Sequence, residues 1–147
     1  MPNWCMGRLT ISGSELELRR FAEFAKASES SVLDTKRFVP LPQGPNTSPS
    51  RDWYIACWGT KWGICDAQIV SQDFTLGVIE YRFLTAWSAC RPIVLAMARR
   101  FPSLRFEYTY RERSVGYKGQ YVCEAGKVLA DRAWACVGYD WRSFPTA

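Results

Sequence analysis

The sequence predicts one α+β domain, an antiparallel sheet with two helices on one of its faces. Three observations carry this expectation. Apolar and polar residues alternate with period two near residues 4–12, 76–84 and 104–111, the pattern of half-buried strands. Apolar residues recur at helical spacing over 14–27 and 92–100. The chain has 147 residues, 48% apolar and 22% charged, an ordinary composition for a single globular domain.

In the first strand Leu9 and Ile11 point one way, and Arg8, Thr10 and Ser12 the other. Gly13 ends it, and Ser14 opens the first helix. Glu17 stands three residues on, which makes a capping box: the Ser hydroxyl accepts the third amide and the Glu carboxylate reaches back. Leu18, Phe21, Ala22 and Ala25 form one apolar stripe, ending near Ala27. Lys36 to Leu41 reads as a short extended piece. Residues 42–50 are loop by their Pro, Gly, Asn and Ser content. Asp52 to Trp58 reads as a short helix, with Trp53, Trp58 and Trp62 crowded around the turn Gly59-Thr60-Lys61.

Ala67–Val70 and Leu76–Leu84 read as the two strands of a hairpin. Pro92 fits the first turn of a second helix, where its missing amide costs nothing. Phe101-Pro102 stops that helix. Leu104, Phe106, Tyr108 and Tyr110 then alternate with Arg105, Glu107, Thr109 and Arg111 in the clearest strand of the chain. Ser114-Val115-Gly116 turns the chain into a strand over Tyr117–Glu124, and Gly126-Lys127 turns it again into Val128-Leu129. The order of strand, helix, hairpin, helix and strand is a split β-α-β sandwich of ferredoxin-like topology, with an extra C-terminal hairpin. We divide the single domain, 1–147, into a core over 1–130, a Trp-bearing insertion near 42–66 within it, and an aromatic tail over 131–147.

Composition excludes several functions. Histidine is absent, which removes a His base, a His-paired nucleophile and His metal ligation. No Gly-rich phosphate loop or closely spaced metal carboxylates occur, so we expect no enzyme, no cofactor and no metal site. The six cysteines form no Cys-x-x-Cys pair and read as buried free thiols. No apolar run approaches the ~20 residues of a membrane span, and the first residues lack a signal-peptide pattern. A cytoplasmic protein without membrane contact follows as an expectation. The net charge is +5, and it is unevenly placed: residues 1–73 are neutral overall, and the excess lies in 74–147. Most of the basic residues are Arg, which pairs bidentately with phosphate and carboxylate.

Five segments in order resemble one family. They are Met1-Pro2-Asn3-Trp4-Cys5, Trp58-Gly59-Thr60-Lys61-Trp62, Phe83-Leu84-Thr85-Ala86-Trp87-Ser88, Phe101-Pro102-Ser103-Leu104-Arg105-Phe106 leading into Glu107-Tyr108, and Gly119 in the next hairpin. Together they resemble the YubB-type ferredoxin-like domain, found in small proteins of phages, plasmids and other bacterial mobile elements. The chain departs from that pattern at Gly7 and Gly63, where the family has Asn and Asp, and at Ala89 and Cys90, where it tends to have Pro. The resemblance implies a fold and a mobile-element origin in a bacterial host cell. It implies no activity.

Candidate sites follow from residue types. Asn3, Trp4, Lys61, Trp62, Thr85, Trp87 and Ser88 fall at strand or turn ends, and form either a recognition pocket or a secondary Trp core. The open sheet face would present Trp4, Met6, Arg8 and Thr10 from the first strand, and Val78, Glu80, Arg82 and Leu84 from the third. Arg8, Arg82, Arg105 and Arg111 are candidate phosphate contacts, with Glu80 and Glu107 among them as ion-pair partners. Tyr139, Trp141 and Arg142 of the tail, with Lys61 and Trp62, have the composition of an interface hot spot. The leading expectation is a non-enzymatic protein of a mobile element acting on a host protein or ribonucleoprotein. Inhibition of a defence complex such as a CRISPR effector is one form of this. The alternative is direct nucleic-acid binding through the open face.

Overall fold

A computed structural model describes residues 3–44 and 48–135. The elements in order are β1 (Trp4–Ser12), α1 (Glu15–Ala25), α2 (Thr35–Phe38), α3 (Arg51–Cys57), β2 (Cys65–Asp73), β3 (Val78–Ala86), α4 (Arg91–Arg100), β4 (Arg105–Glu112), β5 (Tyr117–Glu124) and β6 (Lys127–Ala135). The strands form one six-stranded sheet in the order β2-β3-β1-β4-β5-β6, with every pair antiparallel. Its first four strands are the ferredoxin-like core, and β5 and β6 extend it as the extra hairpin.

Alternation sorts the two faces as expected. Cys5, Gly7, Leu9 and Ile11 of β1 are buried, while Met6 and Arg8 are exposed. Ile79, Tyr81 and Phe83 of β3 and Phe106, Tyr108 and Tyr110 of β4 complete the inward face. α1 covers it with Leu18, Phe21 and Ala25, and α4 with Ile93, Val94, Met97 and Ala98. Phe21 is the hub, with its ring stacked on Phe38 at 5.5 Å and edge-on to Phe101 and Phe106 at 5.2 and 5.6 Å. Such pairings add to the stabilisation that burial alone supplies.

Two glycines make room for rings. Gly7 lies directly opposite Phe83 on one side and Tyr110 on the other, and Gly119 lies opposite Tyr110. A Cβ on Gly7 would sit 2.7 Å from the Phe83 ring, and one on Gly119 would meet the Tyr110 ring still more closely. Gly7 is therefore required by packing.

Some elements differ from the sequence reading. The Ser14 hydroxyl accepts the Glu17 amide at 3.3 Å, but the Glu17 carboxylate is engaged by Arg20 and Ser103. Residues 35–38 are a helical turn, not an extended piece, because Asp34 caps the Lys36 amide and Phe38 is drawn onto Phe21 and Phe24. β6 runs to Ala135, five residues beyond the 130 boundary, because β5 offers it a full edge to pair with. Among the described residues no helix is long and apolar enough to cross a membrane.

The five described cysteines are free, and Cys5, Cys90 and Cys123 are buried. Burial pushes the Cys5 and Cys90 thiols up from about 9 to about 12. Raised thiols favour the protonated native state, so their contribution is complete below pH ~9 and is lost as pH climbs towards 12. Chemical denaturation between pH 7 and 11 should show stability falling above pH ~9, by at most about 1.4 kcal/mol per pH unit for each thiol.

Tyr81 is fully buried, and its hydroxyl finds no hydrogen-bond partner among the described residues. Tyr108 is equally buried, but its hydroxyl accepts the Cys90 amide at 3.3 Å. Tyr81→Phe should therefore leave stability unchanged or raise it by up to about 1 kcal/mol, and Tyr108→Phe should lower it by about 1–2 kcal/mol. A Tyr81→Phe variant losing as much as Tyr108→Phe in the same denaturation assay would contradict this.

Candidate functional site

Among the described residues the helices cover one sheet face only, so the functional reading turns to the other. Cross-strand register lines its residues into rows. One row runs Gln68, Arg82, Arg8, Thr109, Gln120 and Arg132 from β2 to β6. The next runs Cys65, Leu84, Met6, Arg111, Lys118 and Trp134. Between them a pocket of about 430 Å³ opens over β2, β3, β1 and β4. Arg8, Arg82 and Arg111 line it, with Met6 and Leu84 as apolar lining and Asp66 and Gln68 from β2.

The charges are not balanced. Glu80 takes both Arg8, at 3.2 Å, and Arg82, at 3.5 Å, on a single carboxylate oxygen. The Arg side chains stay 51% and 56% exposed. With Asp66 and Arg111 on the lining as well, three arginines meet two carboxylates, a formal excess of one positive charge at the pocket. Arg105 is placed differently: it pairs with Glu107 and Glu124, each at 3.0 Å, and does not line the pocket. Of the four candidate arginines, the fold thus gathers Arg8, Arg82 and Arg111 and leaves Arg105 among acids.

A bulge shapes the rim. Cys65 pairs with Leu84 and Gln68 with Arg82, so three steps on β2 face two on β3. Asp66 lies in this bulge in a left-handed conformation, φ 50°, which Asp tolerates better than most residues. Sequence reading placed Asp66 in the insertion and gave Gln68 no role. A bulge is set by two strands together and has no signature in one of them.

A second cluster lies at the end of the sheet where β1 begins and β3 ends. Trp4 and Trp62 approach to 6.1 Å. The Lys61 ammonium sits 4.2 Å from the Trp87 ring and 5.3 Å from Trp62, and Arg51 lies 5.2 Å from Trp87. Trp87 has φ 71°, and both its backbone groups are held: its amide donates to Asn3 at 2.7 Å, and Tyr117 donates to its carbonyl at 2.6 Å. Thr60 donates to Ala86, Thr85 to Ser88 and Ser88 to Gly59, tying the inserted loop to the end of β3. Trp4 shares its face of β1 with Met6 and Arg8, so this patch adjoins the pocket. Tyr139, Trp141 and Arg142 lie outside the described residues.

The choice between pocket and secondary core resolves residue by residue. Trp58 is core, 5% exposed, with its indole donating to the Val39 carbonyl at 3.0 Å. Trp4 and Trp87 are half-buried. Trp62 is 44% exposed.

Three comparisons with known proteins bear on the chain. A family model described as "Ferredoxin-like domain in Api92-like protein" matches residues 60–140, more than half of the chain. No curated protein matches. The crystal structure of a protein api92 from Yersinia pseudotuberculosis is similar with a TM-score of 0.71, covering 95% of this chain and 100% of that one. Its identity to this chain is 8%, so the likeness is one of fold.

The burial pattern separates two tryptophans in a denaturation assay. Trp58→Ala should cost about 3–5 kcal/mol, the usual loss for a buried large aromatic. Trp62→Ala should cost less than about 1 kcal/mol, as expected for a surface position.

Proposed function

The chain belongs to the Api92-like family of ferredoxin-like domains, and from the sheet face that the described helices leave uncovered we infer a non-enzymatic binding protein for single-stranded nucleic acid. The observation that supports it most is the pocket beside Arg8 and Arg82, where two exposed guanidiniums share the one Glu80 carboxylate. A strand of phosphates would meet positive charge there. Bases would meet the apolar Met6 and Leu84 in the pocket and the exposed Trp62 ring beside Trp4. A basic groove with aromatic platforms is how single strands are held without base pairing. Single-stranded DNA and RNA are both within this reading.

A second reading keeps the partner a host protein or ribonucleoprotein, and it is favoured by Trp62. That ring is exposed and carries Lys61 on it, a composition enriched at interface hot spots. We also group the chain with the YubB-type proteins of phages and plasmids, on the ordered motifs from Met1 to Gly119. In that setting a host ribonucleoprotein, including a CRISPR effector, would offer both a single strand to the groove and protein to the Trp patch.

Anisotropy of a labelled single-stranded oligonucleotide tests the first reading. Binding should weaken with salt, because each neutralised phosphate releases counterions, with a slope of about −0.7 per contact. Arg8→Glu with Arg82→Glu should reduce affinity by at least about tenfold, since each reversal removes one attraction and adds a repulsion. Absence of binding at low salt would overturn the reading and favour the protein partner. Binding that ignores both substitutions would remove the open face from it.

A further inference from the structure

We propose that the pocket reads guanine through Asp66; this rests on the single-strand reading above and names the base that the same site prefers. An acidic side chain stands at the rim of a pocket otherwise lined by Arg8, Arg82 and Arg111. The obvious use for it would be an ion pair with one of those arginines. Yet among the described residues the Asp66 side chain makes no hydrogen bond or ion pair, while Glu80, one row away, takes both Arg8 and Arg82. The residue is exposed, and its backbone is held in a left-handed conformation inside the β2 bulge. Bulges beside sites re-aim side chains, and strained residues persist where the surrounding structure holds them.

Donor arithmetic then selects the base. An ionised carboxylate only accepts hydrogen bonds. Guanine alone presents two adjacent donors, N1–H and the N2 amino group, on its pairing edge. Adenine and cytosine set a donor beside an acceptor, and uracil and thymine set a single N–H between two carbonyls. Against those edges a carboxylate faces lone pairs. Against guanine it accepts two charge-assisted hydrogen bonds, which are shorter and stronger than neutral ones. Gln68 lines the same pocket, and its side-chain amide can donate to the guanine O6. Met6 and Leu84 supply apolar contact for the base, and the Arg8–Arg82 pair lies beside it for the phosphate.

The experiment uses the full chain and labelled nine-residue oligouridines carrying one central G, A, C or U. The G-centred strand should bind at least about fivefold tighter than the other three, as a bidentate contact discriminates. Asp66→Asn should erase that preference by bringing the G-centred strand down to the level of the other three, because the amide no longer offers two acceptor oxygens. Asn also tolerates the left-handed backbone, so the variant keeps the bulge. Arg8→Glu with Arg82→Glu should weaken all four strands together. Equal binding of the four strands to the parent protein would overturn the guanine assignment and leave the single-strand reading standing. So would a guanine preference that survives Asp66→Asn. If none of the four binds, both fall.

Discussion

The structure depends on rings laid over glycines across the middle of the sheet. Phe83, Gly7, Tyr110 and Gly119 stand opposite one another in β3, β1, β4 and β5. The Phe83 and Tyr108 rings crowd the space above Gly7, and the Tyr110 ring that above Gly119. A one-residue slip in any of these strands would bring a Cβ under a ring and turn every buried side chain outward. Register is therefore fixed by shape as well as by hydrophobicity. The next residue along β3 and β1 is Arg82 and Arg8, so the same register that seats the rings on one face sets two guanidiniums side by side on the other.

Charge at the site is a product of the fold more than of composition. The basic excess lies in the second half of the sequence, yet Arg8 comes from the neutral first half. The first strand runs through the centre of the sheet between β3 and β4, and it carries Arg8 into the basic half's territory. Arg105, on the same strand as Arg111, is neutralised by Glu107 and Glu124. Proximity in sequence to other arginines says little about which of them keep an unbalanced charge, because cross-strand neighbours decide it.

What the sequence showed and what it hid divide along the range of the interactions. Period-two alternation placed the outward residues of β1 and β3 correctly, since one strand's own pattern is enough to define two faces. Ser14 revealed the start of α1 for the same reason: its partner is three residues away. α2 was invisible because four residues show no period, and what draws Phe38 inward is the distant Phe21. The inserted loop was legible as a loop, and a Trp core holding it as one of two readings, but its hydrogen bonds were not, because Thr60 and Ser88 find carbonyls 26 and 29 residues away. Asp66 was hidden most fully. Its placement follows from the offset between β2 and β3, and no single-strand pattern contains that offset.

Backbone strain ties the two candidate surfaces together. Among the described residues three non-glycine positions have positive φ: Asp66, Trp87 and Ala125. Ala125 sits in the tight turn between β5 and β6, where such a conformation is ordinary. The other two lie at the rims of the open face, one in the β2 bulge and one at the end of β3. A bulky aromatic residue in the left-handed region costs about 1–3 kcal/mol, so something must hold it there. For Trp87 the Asn3 carbonyl and the Tyr117 hydroxyl do so. With the backbone so held, the indole lies against Lys61 and Arg51. At Trp87 the strain is thus offset by two dedicated hydrogen bonds, whereas Asp66 keeps its left-handed backbone within the offset between β2 and β3.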